Sequence, residues 1–246
     1  MRRKISSEIN KIQTAVALLT AELIFLFVVF CVSLTSLMMI IRLIFFNRDE
    51  GIDHQVFKFL LPYITETNTS IMLFITFLGS YAFMVPAWLL VFGFNLFIRK
   101  NKWYFIVTVI IAVSNLAMMR GLKYFFNRPR PLIPLLKEVP GLSFPSGHAY
   151  MGVIFYGLLI YFVYNDVRNK YLKWIFIFLL AILAFLVGFS RVYLRVHYAS
   201  DVLAGFCFGV LSLTILLWLL KQIKKYNAKK IAPDLNVAIT GDDHLS

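Results

Sequence analysis

The stretch "WIFIFLLAILAFLVGFSRVYLRVHYASDVLAGFCFGVLSLTILLWLL", Trp174–Leu220, decides the fold class of this chain. It contains two apolar runs, each close to the roughly twenty residues that a helix needs to cross a bilayer. Between them lies a short segment with two arginines, a histidine and an aspartate. Because charged side chains are costly in hydrocarbon, we expect them to lie at the membrane-surface ends of the spans and to have a function there. The stretch therefore predicts two membrane helices joined by a polar functional segment.

The composition of the whole chain agrees with this interpretation. Of its 246 residues, 60% are hydrophobic, 17% are aromatic and only 15% are charged. Soluble domains rarely have so much apolar content, so we expect an integral membrane protein. Inside lipid each backbone polar group must be paired within its own segment, which favours helices, and the alternating strands of a membrane barrel are not seen. The predicted fold class is all-α, a polytopic bundle.

Six segments of the chain meet the length requirement for a span. We predict a six-span domain over residues 15–220, preceded by a basic segment, residues 1–14, and followed by a polar, disordered tail, residues 221–246. Residues 47–80 are predicted to form an outer loop with one short interfacial helix, because their apolar pieces are too short to cross alone. The predicted spans are residues 15–41, 81–98, 103–122, 148–165, 172–190 and 200–220.

Basic residues cluster on one side of this topology and predict its orientation. Six spans bring both termini to the same side, and basic residues that flank spans are retained in the cytoplasm. We expect a bacterial inner membrane protein with both termini cytoplasmic. Because the formal charge of +13 lies mainly at span ends, it indicates membrane orientation and not nucleic-acid binding. The cytoplasmic cations are Arg2, Arg3, Lys4, Lys11, Arg99, Lys100, Lys102, Arg168, Lys170, Lys173, Lys221, Lys224, Lys225, Lys229 and Lys230.

Basic residues at the polar motifs break this rule on the opposite, extracytoplasmic face. They are Lys123, Arg128, Arg130, Arg191 and Arg195. Each alone could be a side chain that snorkels to the interface. Together they indicate an anion-binding site, with Arg128 and Arg195 expected to support it or to contact lipid headgroups.

Three polar segments converge on this face because successive spans alternate in direction. They are "KYFFNRPRP", residues 123–131, "PSGH", residues 145–148, and "SRVYLRVHYASD", residues 190–201. Arginine and lysine side chains can surround a phosphate, and the free N–H groups at the start of a helix also favour an anion. Serine is a common helix cap, so Ser146 is expected to cap the fourth span. The predicted phosphate-binding residues are Lys123, Arg130, Ser146, Gly147 and Arg191.

Two histidines in these segments predict the chemistry. His197 and Asp201 are four residues apart and would share a face on the first turn of the sixth span. The carboxylate could then fix the tautomer of the ring and prepare its other nitrogen to attack phosphorus. His148 is placed to protonate the leaving oxygen and then to activate water. The pattern predicts a phosphohistidine intermediate, and a purely structural hydrogen bond between His197 and Asp201 is the alternative.

The three segments together resemble the signature of the type 2 phosphatidic acid phosphatase superfamily. "KYFFNRPRP", "PSGH" and "SRVYLRVHYASD" match it at every signature position, and the resemblance covers residues 80–215 and is to the membrane lipid phosphatase branch. It implies a phosphatase that needs no metal or cofactor, with His197 as the nucleophile, Asp201 as its orienting partner and His148 as the general acid. It also implies that the five phosphate-binding residues hold the substrate.

Lipids that carry a phosphate at the membrane surface are the expected substrates, because the surrounding spans suit an apolar tail. Phosphatidate, phosphatidylglycerol phosphate and undecaprenyl pyrophosphate are of this kind. Two alternatives stay open. A phosphotransferase would use the same residues with a hydroxyl in place of water, and a transporter could also use intramembrane charges, although no inverted repeat favours it. The sequence carries no signal for an oligomer.

Small residues extend the catalytic face of the sixth span into the membrane. Gly205 and Gly209 continue the four-residue spacing of His197 and Asp201. Such a stripe lets two helices approach closely. We predict that it packs against another span and fixes the angle of His197.

Overall fold

The computed structural model describes residues 24–131, 134–135 and 140–240, which form helices joined by turns and loops, without a strand. Six segments of these residues are long and apolar enough to cross a membrane. The predicted all-α, six-span architecture is confirmed. The helices are α1 (Ile24–Phe46), α2 (Gly51–Leu60), α3 (Glu66–Phe77), α4 (Tyr81–Gly93), α5 (Lys102–Phe126), α6 (Gly147–Asp166), α7 (Lys170–Tyr193) and α8 (Ala199–Thr240).

The segment predicted as a loop, residues 47–80, differs from the prediction in its second half. Helix α2 is the expected short helix, but α3 belongs to the second span, which runs over Glu66–Ile98. A single turn at residues 78–80 joins α3 to α4, and backbone hydrogen bonds of 2.9–3.1 Å carry the chain through it. Each apolar piece alone is too short to cross, which is why the sequence placed α3 in the loop. The turn lets the two helices share one crossing.

The C-terminal segment differs from its predicted disorder, whereas the predicted N-terminal limit stays a prediction. Residues 1–14 and the first part of the predicted first span, residues 15–23, lie outside the described residues. Helix α8 continues to Thr240, so the tail predicted to be disordered from residue 221 is helical up to that point. No glycine or proline occurs between residues 210 and 232, and the lysines and alanines there are good helix formers. Residues 241–246 again lie outside the description.

Helix α6 is the centre of the bundle and packs against α7 and α8. Its residues Ala149, Tyr150 and Leu158 have no exposed surface. A Cβ atom added at Gly205 of α8 would lie only 2.7 Å from the Ser146 carbonyl oxygen. One added at Gly209 would lie 2.8 Å from the Cβ of Val153, so the close packing predicted for these glycines is confirmed. Its effect on the angle of His197 stays a prediction.

Candidate active site

The three polar segments meet at one end of the bundle, as the alternation of the spans predicted. The backbone N–H of Ser146 donates to the Asp201 carbonyl oxygen at 3.0 Å, which ties the start of α6 to the start of α8. Arg130 Nη1 donates to the Val196 carbonyl oxygen at 2.8 Å and brings in the segment after α5. The site is therefore assembled from the ends of α5, α6, α7 and α8.

His197 lies beside Asp201, although not on the helix where the sequence placed it. Helix α8 begins at Ala199, so His197 is in the turn before it. The reason is that Asp201 Oδ2 accepts the backbone N–H of Tyr198 at 2.9 Å, a contact from the first turn of the helix to the residue before it that marks the helix start. His197 Nδ1 nevertheless lies 3.5 Å from Asp201 Oδ2, and Ser143 Oγ donates to the same oxygen. The imidazole and the carboxylate are both buried.

The environment of His197 keeps its ring neutral. Its pKa is lowered to about 4, chiefly by burial and also by the charges of Arg130 and Arg191, against the opposing effect of Asp201. A neutral ring beside a carboxylate is best satisfied when Nδ1 carries the proton, since Asp201 can only accept. The lone pair is then on Nε2, which lies 3.4 Å from Arg130 Nη1. A neutral Nε2 beside a cation is placed to attack an electrophile that the cation holds.

A cavity of about 530 Å³ opens beside His197 and has two chemically different ends. Apolar side chains of α4 and α5, among them Trp88, Leu89 and Leu116, line one end. Polar and glycine residues line the other end, namely Lys123, Arg130, Gly147, His148, Arg191 and His197. Of the predicted site residues, Ser146 and Asp201 are outside the lining and directly behind it.

The three cations of the cavity have no carboxylate within 4.0 Å among the described residues. Their hydrogen bonds go to uncharged acceptors: Lys123 to the Leu142 carbonyl at 2.5 Å, Arg130 to the Gly141 carbonyl at 3.0 Å and Arg191 to Thr76 Oγ1 at 2.7 Å. Burial lowers the pKa of Arg130, and the negative charge of Asp201 only partly opposes this effect. An anion such as phosphate would supply the missing negative charge.

The start of α6 offers a smaller set of donors than the sequence predicted. Ser146 is the N-cap residue of α6, as predicted, but its side chain makes no capping hydrogen bond to the described residues. Its backbone N–H is already used by Asp201, while its Oγ is buried without a partner among the described residues. The hydroxyl of Ser190, another signature residue, donates to the Val187 carbonyl of its own helix at 2.7 Å.

Three residues at the site were not predicted as parts of it. Ser143 contacts Asp201, Thr76 of α3 contacts Arg191, and Asp53 of α2 contacts Arg128. Arg128, expected either to support the site or to contact lipid headgroups, contacts Asp201. Arg195 lies 5.7 Å from the Phe57 ring of α2 and does not line the cavity.

Comparison with known proteins gives a consistent result. The sequence profile of the PAP2 superfamily matches residues 101–225, which include all three polar segments. Phosphatidylglycerophosphatase B of Bacillus subtilis is 30% identical over 185 residues, 74% of this chain and 88% of that protein. An undecaprenyl-diphosphatase of Sulfolobus acidocaldarius is 29% identical over 177 residues, 69% of this chain and 79% of that protein. The crystal structure of a transmembrane PAP2-type phosphatidylglycerolphosphate phosphatase from Bacillus subtilis aligns with a TM-score of 0.72 at 25% identity, covering 79% of this chain and 96% of that one.

Proposed function

Since this chain belongs to the PAP2 superfamily and is an integral membrane lipid phosphatase, we propose that His197 and the cavity beside it are its active site. One observation carries the proposal. The same cavity has two histidines and three cations, without a carboxylate partner in the described part of the chain, at one end and apolar side chains of two spans at the other. A phosphorylated lipid has this division of chemistry.

The first chemical step is attack by His197 Nε2 on the phosphorus atom. The N–P bond forms as the bond from phosphorus to the lipid oxygen breaks, and the ring becomes positively charged. Asp201, whose Oδ2 lies 3.5 Å from Nδ1, stabilises that charge. His148 lines the same cavity and protonates the departing lipid oxygen.

The second step reverses these roles. His148, now neutral, takes a proton from water, and the water oxygen attacks phosphorus. The N–P bond breaks, which returns His197 to its neutral form and releases inorganic phosphate. Lys123, Arg130 and Arg191 surround the phosphoryl oxygens in both steps, with Ser146 Oγ and the start of α6 at Gly147 as further donors.

The apolar end of the cavity supports a lipid substrate over a soluble phosphate ester. The relatives act on phosphatidylglycerol phosphate and undecaprenyl diphosphate by their names, and we propose a substrate of the same kind, a lipid phosphomonoester or diphosphate. Water is the proposed acceptor, and a lipid hydroxyl in its place would make the enzyme a transferase. The distribution of basic residues supports cytoplasmic termini and an active site on the extracytoplasmic face of a bacterial inner membrane.

A substrate panel tests this function. Purified protein would be given phosphatidate, phosphatidylglycerol phosphate, undecaprenyl pyrophosphate and the tail-free glycerol 3-phosphate, and phosphate release would be measured. We expect release from at least one lipid at a kcat/KM about 100-fold above that for glycerol 3-phosphate, because the tail contributes binding energy. No release from any lipid, or equal release from glycerol 3-phosphate, would contradict the proposal.

A matched pair of variants tests the place of the tail. Leu116→Trp fills the apolar end of the cavity, whereas Ile110→Trp adds the same ring on α5 at an exposed position outside the lining. We expect the first to raise KM for the lipid about tenfold and the second to leave it unchanged within about twofold. Equal effects of both variants would place the tail elsewhere.

A further inference from the structure

Arg128 lies behind the site and contacts three carboxylates, unlike the cations of the cavity. Only 4% of its surface is exposed. Its Nη1 donates to Asp201 Oδ1 at 2.7 Å, and its Nη2 donates to Asp53 Oδ2 at 2.9 Å and to Glu50 Oε1 at 3.1 Å. The Arg128 guanidinium also lies over the Tyr198 ring, 4.0 Å from its centroid. The side chain is held on every polar side except Nε.

Asp53 comes from α2, a helix outside the polar segments that match the family. Its carboxylate is buried, with 2% of the residue exposed. Besides Arg128 it accepts two bonds from Ser200 at the start of α8, from N–H at 2.9 Å and from Oγ at 2.6 Å. Asp53 therefore ties α2 at once to Arg128 and to the residue next to Asp201.

The two carboxylate oxygens of Asp201 contact different groups. Oδ2 contacts His197, Ser143 and the Tyr198 N–H, whereas Oδ1 is held by Arg128. A carboxylate fixed at both oxygens cannot rotate away from Nδ1 of His197. The bond from Arg128 thus sets the plane of the group that orients the imidazole.

We propose that Asp53 and Arg128 are positioning residues for the reaction, acting through Asp201 on His197. The proposal rests on the proposed roles of His197 and Asp201. Arg128 alone would offset the negative charge of Asp201 and weaken its hold on the imidazolium that forms during attack. The negative charge of Asp53 compensates for that of Arg128. Asp201 is then held in place and can still stabilise the imidazolium of His197. Helix α2 is then part of the catalytic apparatus and not only an interfacial helix.

The experiment measures phosphohistidine formation in single turnover with labelled lipid phosphate. The amplitude counts correctly folded sites, and the rate constant reports the chemistry at each of them. Asp53→Asn is expected to slow the rate constant about tenfold with amplitude unchanged and KM within about twofold, because the phosphate cations are untouched. Glu50→Gln is the matched control: its carboxylate bonds the same nitrogen but is 41% exposed, and we expect less than about a twofold change.

A double-variant cycle tests whether Asp53 acts through Arg128. Arg128→Gln is expected to slow the rate constant about 100-fold, and Asp53→Asn should add nothing in that background. If Arg128→Gln does not fold, Arg128→Lys, which keeps the charge and reaches only one carboxylate, replaces it with a smaller expected loss. A wild-type rate in Asp53→Asn, a loss of amplitude alone, or an undiminished effect of Asp53→Asn in the Arg128 variant would overturn the inference. Absence of labelled phosphohistidine in the wild type would instead overturn the proposed function.

Discussion

Arg128 and Arg130 are two residues apart in the sequence, yet they lie on opposite sides of His197. Arg130 belongs to the cavity side, defined by Lys123, Arg130, His148 and Arg191, where the described cations bind only uncharged acceptors. Arg128 belongs to the rear side, defined by Asp53, Arg128, Ser143 and Asp201, where charges of both signs are paired. In the proposed function, the same residue type thus binds substrate on one side and supports the nucleophile on the other.

The role of a buried cation therefore depends on its carboxylate partners. Burial acts to lower the pKa of both arginines. At Arg128 the carboxylates of Asp201, Asp53 and Glu50 outweigh burial, and the pKa is raised. At Arg130 burial dominates, and the pKa is lowered. A cation with satisfied charge stabilises structure, whereas one without is prepared for an anion.

The largest expected effect comes from the residue between the two sides. His197→Ala should lower phosphate release by about 10⁴-fold or more, since the nucleophile is lost while the cations remain. Lipid phosphatase assays and acid-quench labelling would measure the loss. Substantial activity with an unlabelled His197→Ala protein would show that the cavity side acts without a nucleophilic histidine. The rear side would then have no nucleophile to support.

Removal of the proposed general acid on the cavity side comes next. His148→Asn should lower kcat for the lipid about 10³-fold. A substrate with an acidic leaving group, such as p-nitrophenyl phosphate, should lose far less in its first step, because its oxygen leaves without a proton. Labelled phosphohistidine should then accumulate, since His148 is also needed to activate water. Equal losses with both substrates would argue against the role of His148.

The two arginines can be compared directly with an inhibitor. Arg130→Gln should lower kcat/KM about 100-fold and weaken inhibition by vanadate, a phosphate analogue, by about tenfold. Asp53→Asn, on the rear side, should leave vanadate inhibition unchanged within about twofold because it does not touch the anion. Vanadate inhibition curves measured side by side for the two variants would test this difference. Similar weakening in both would remove the distinction between the two sides.

Helix α8, which follows His197, packs closely on α6 at Gly205. Gly205→Leu should lower the free energy of unfolding by about 1–3 kcal/mol, because the added side chain meets the Ser146 backbone and Ala149. Activity should fall as well, if this packing fixes the angle of His197. Gly121→Leu is the control, since a Cβ there has nothing within 4 Å. Unchanged thermal stability and activity in Gly205→Leu would show that the close approach is not needed.

The smallest expected effect is that of mild acid on the wild type. The pKa of His197 is lowered to about 4, so the free enzyme keeps its neutral nucleophile as pH falls from 7 to about 5.5, and this group should change kcat/KM less than about twofold. Below that range protonation of Nε2 should remove activity. A profile of kcat/KM against pH would test this. A loss of activity with its midpoint near pH 6.5 would mean that the negative charge of Asp201 offsets the effect of burial on the pKa of His197.

Local patterns in the sequence were sufficient for much of this protein. The all-α class and the six spans follow from apolar length, since a lipid-embedded segment must satisfy its own backbone. The convergence of the three polar segments follows from the alternation of span direction. The proximity of His197 and Asp201 follows from their spacing, even though His197 lies in the turn before α8.

Other features were decided only by the tertiary structure. The sequence did not place α3 in a span, because two short apolar helices joined by a turn do not look like one crossing. It did not pair Asp53 with Ser200, which is 147 residues away. It did not assign Arg128 and Arg130 to opposite sides of the nucleophile either. Apolar length and helical spacing are properties of neighbouring residues, whereas the partner of a buried charge depends on which distant helix ends the folded bundle brings together.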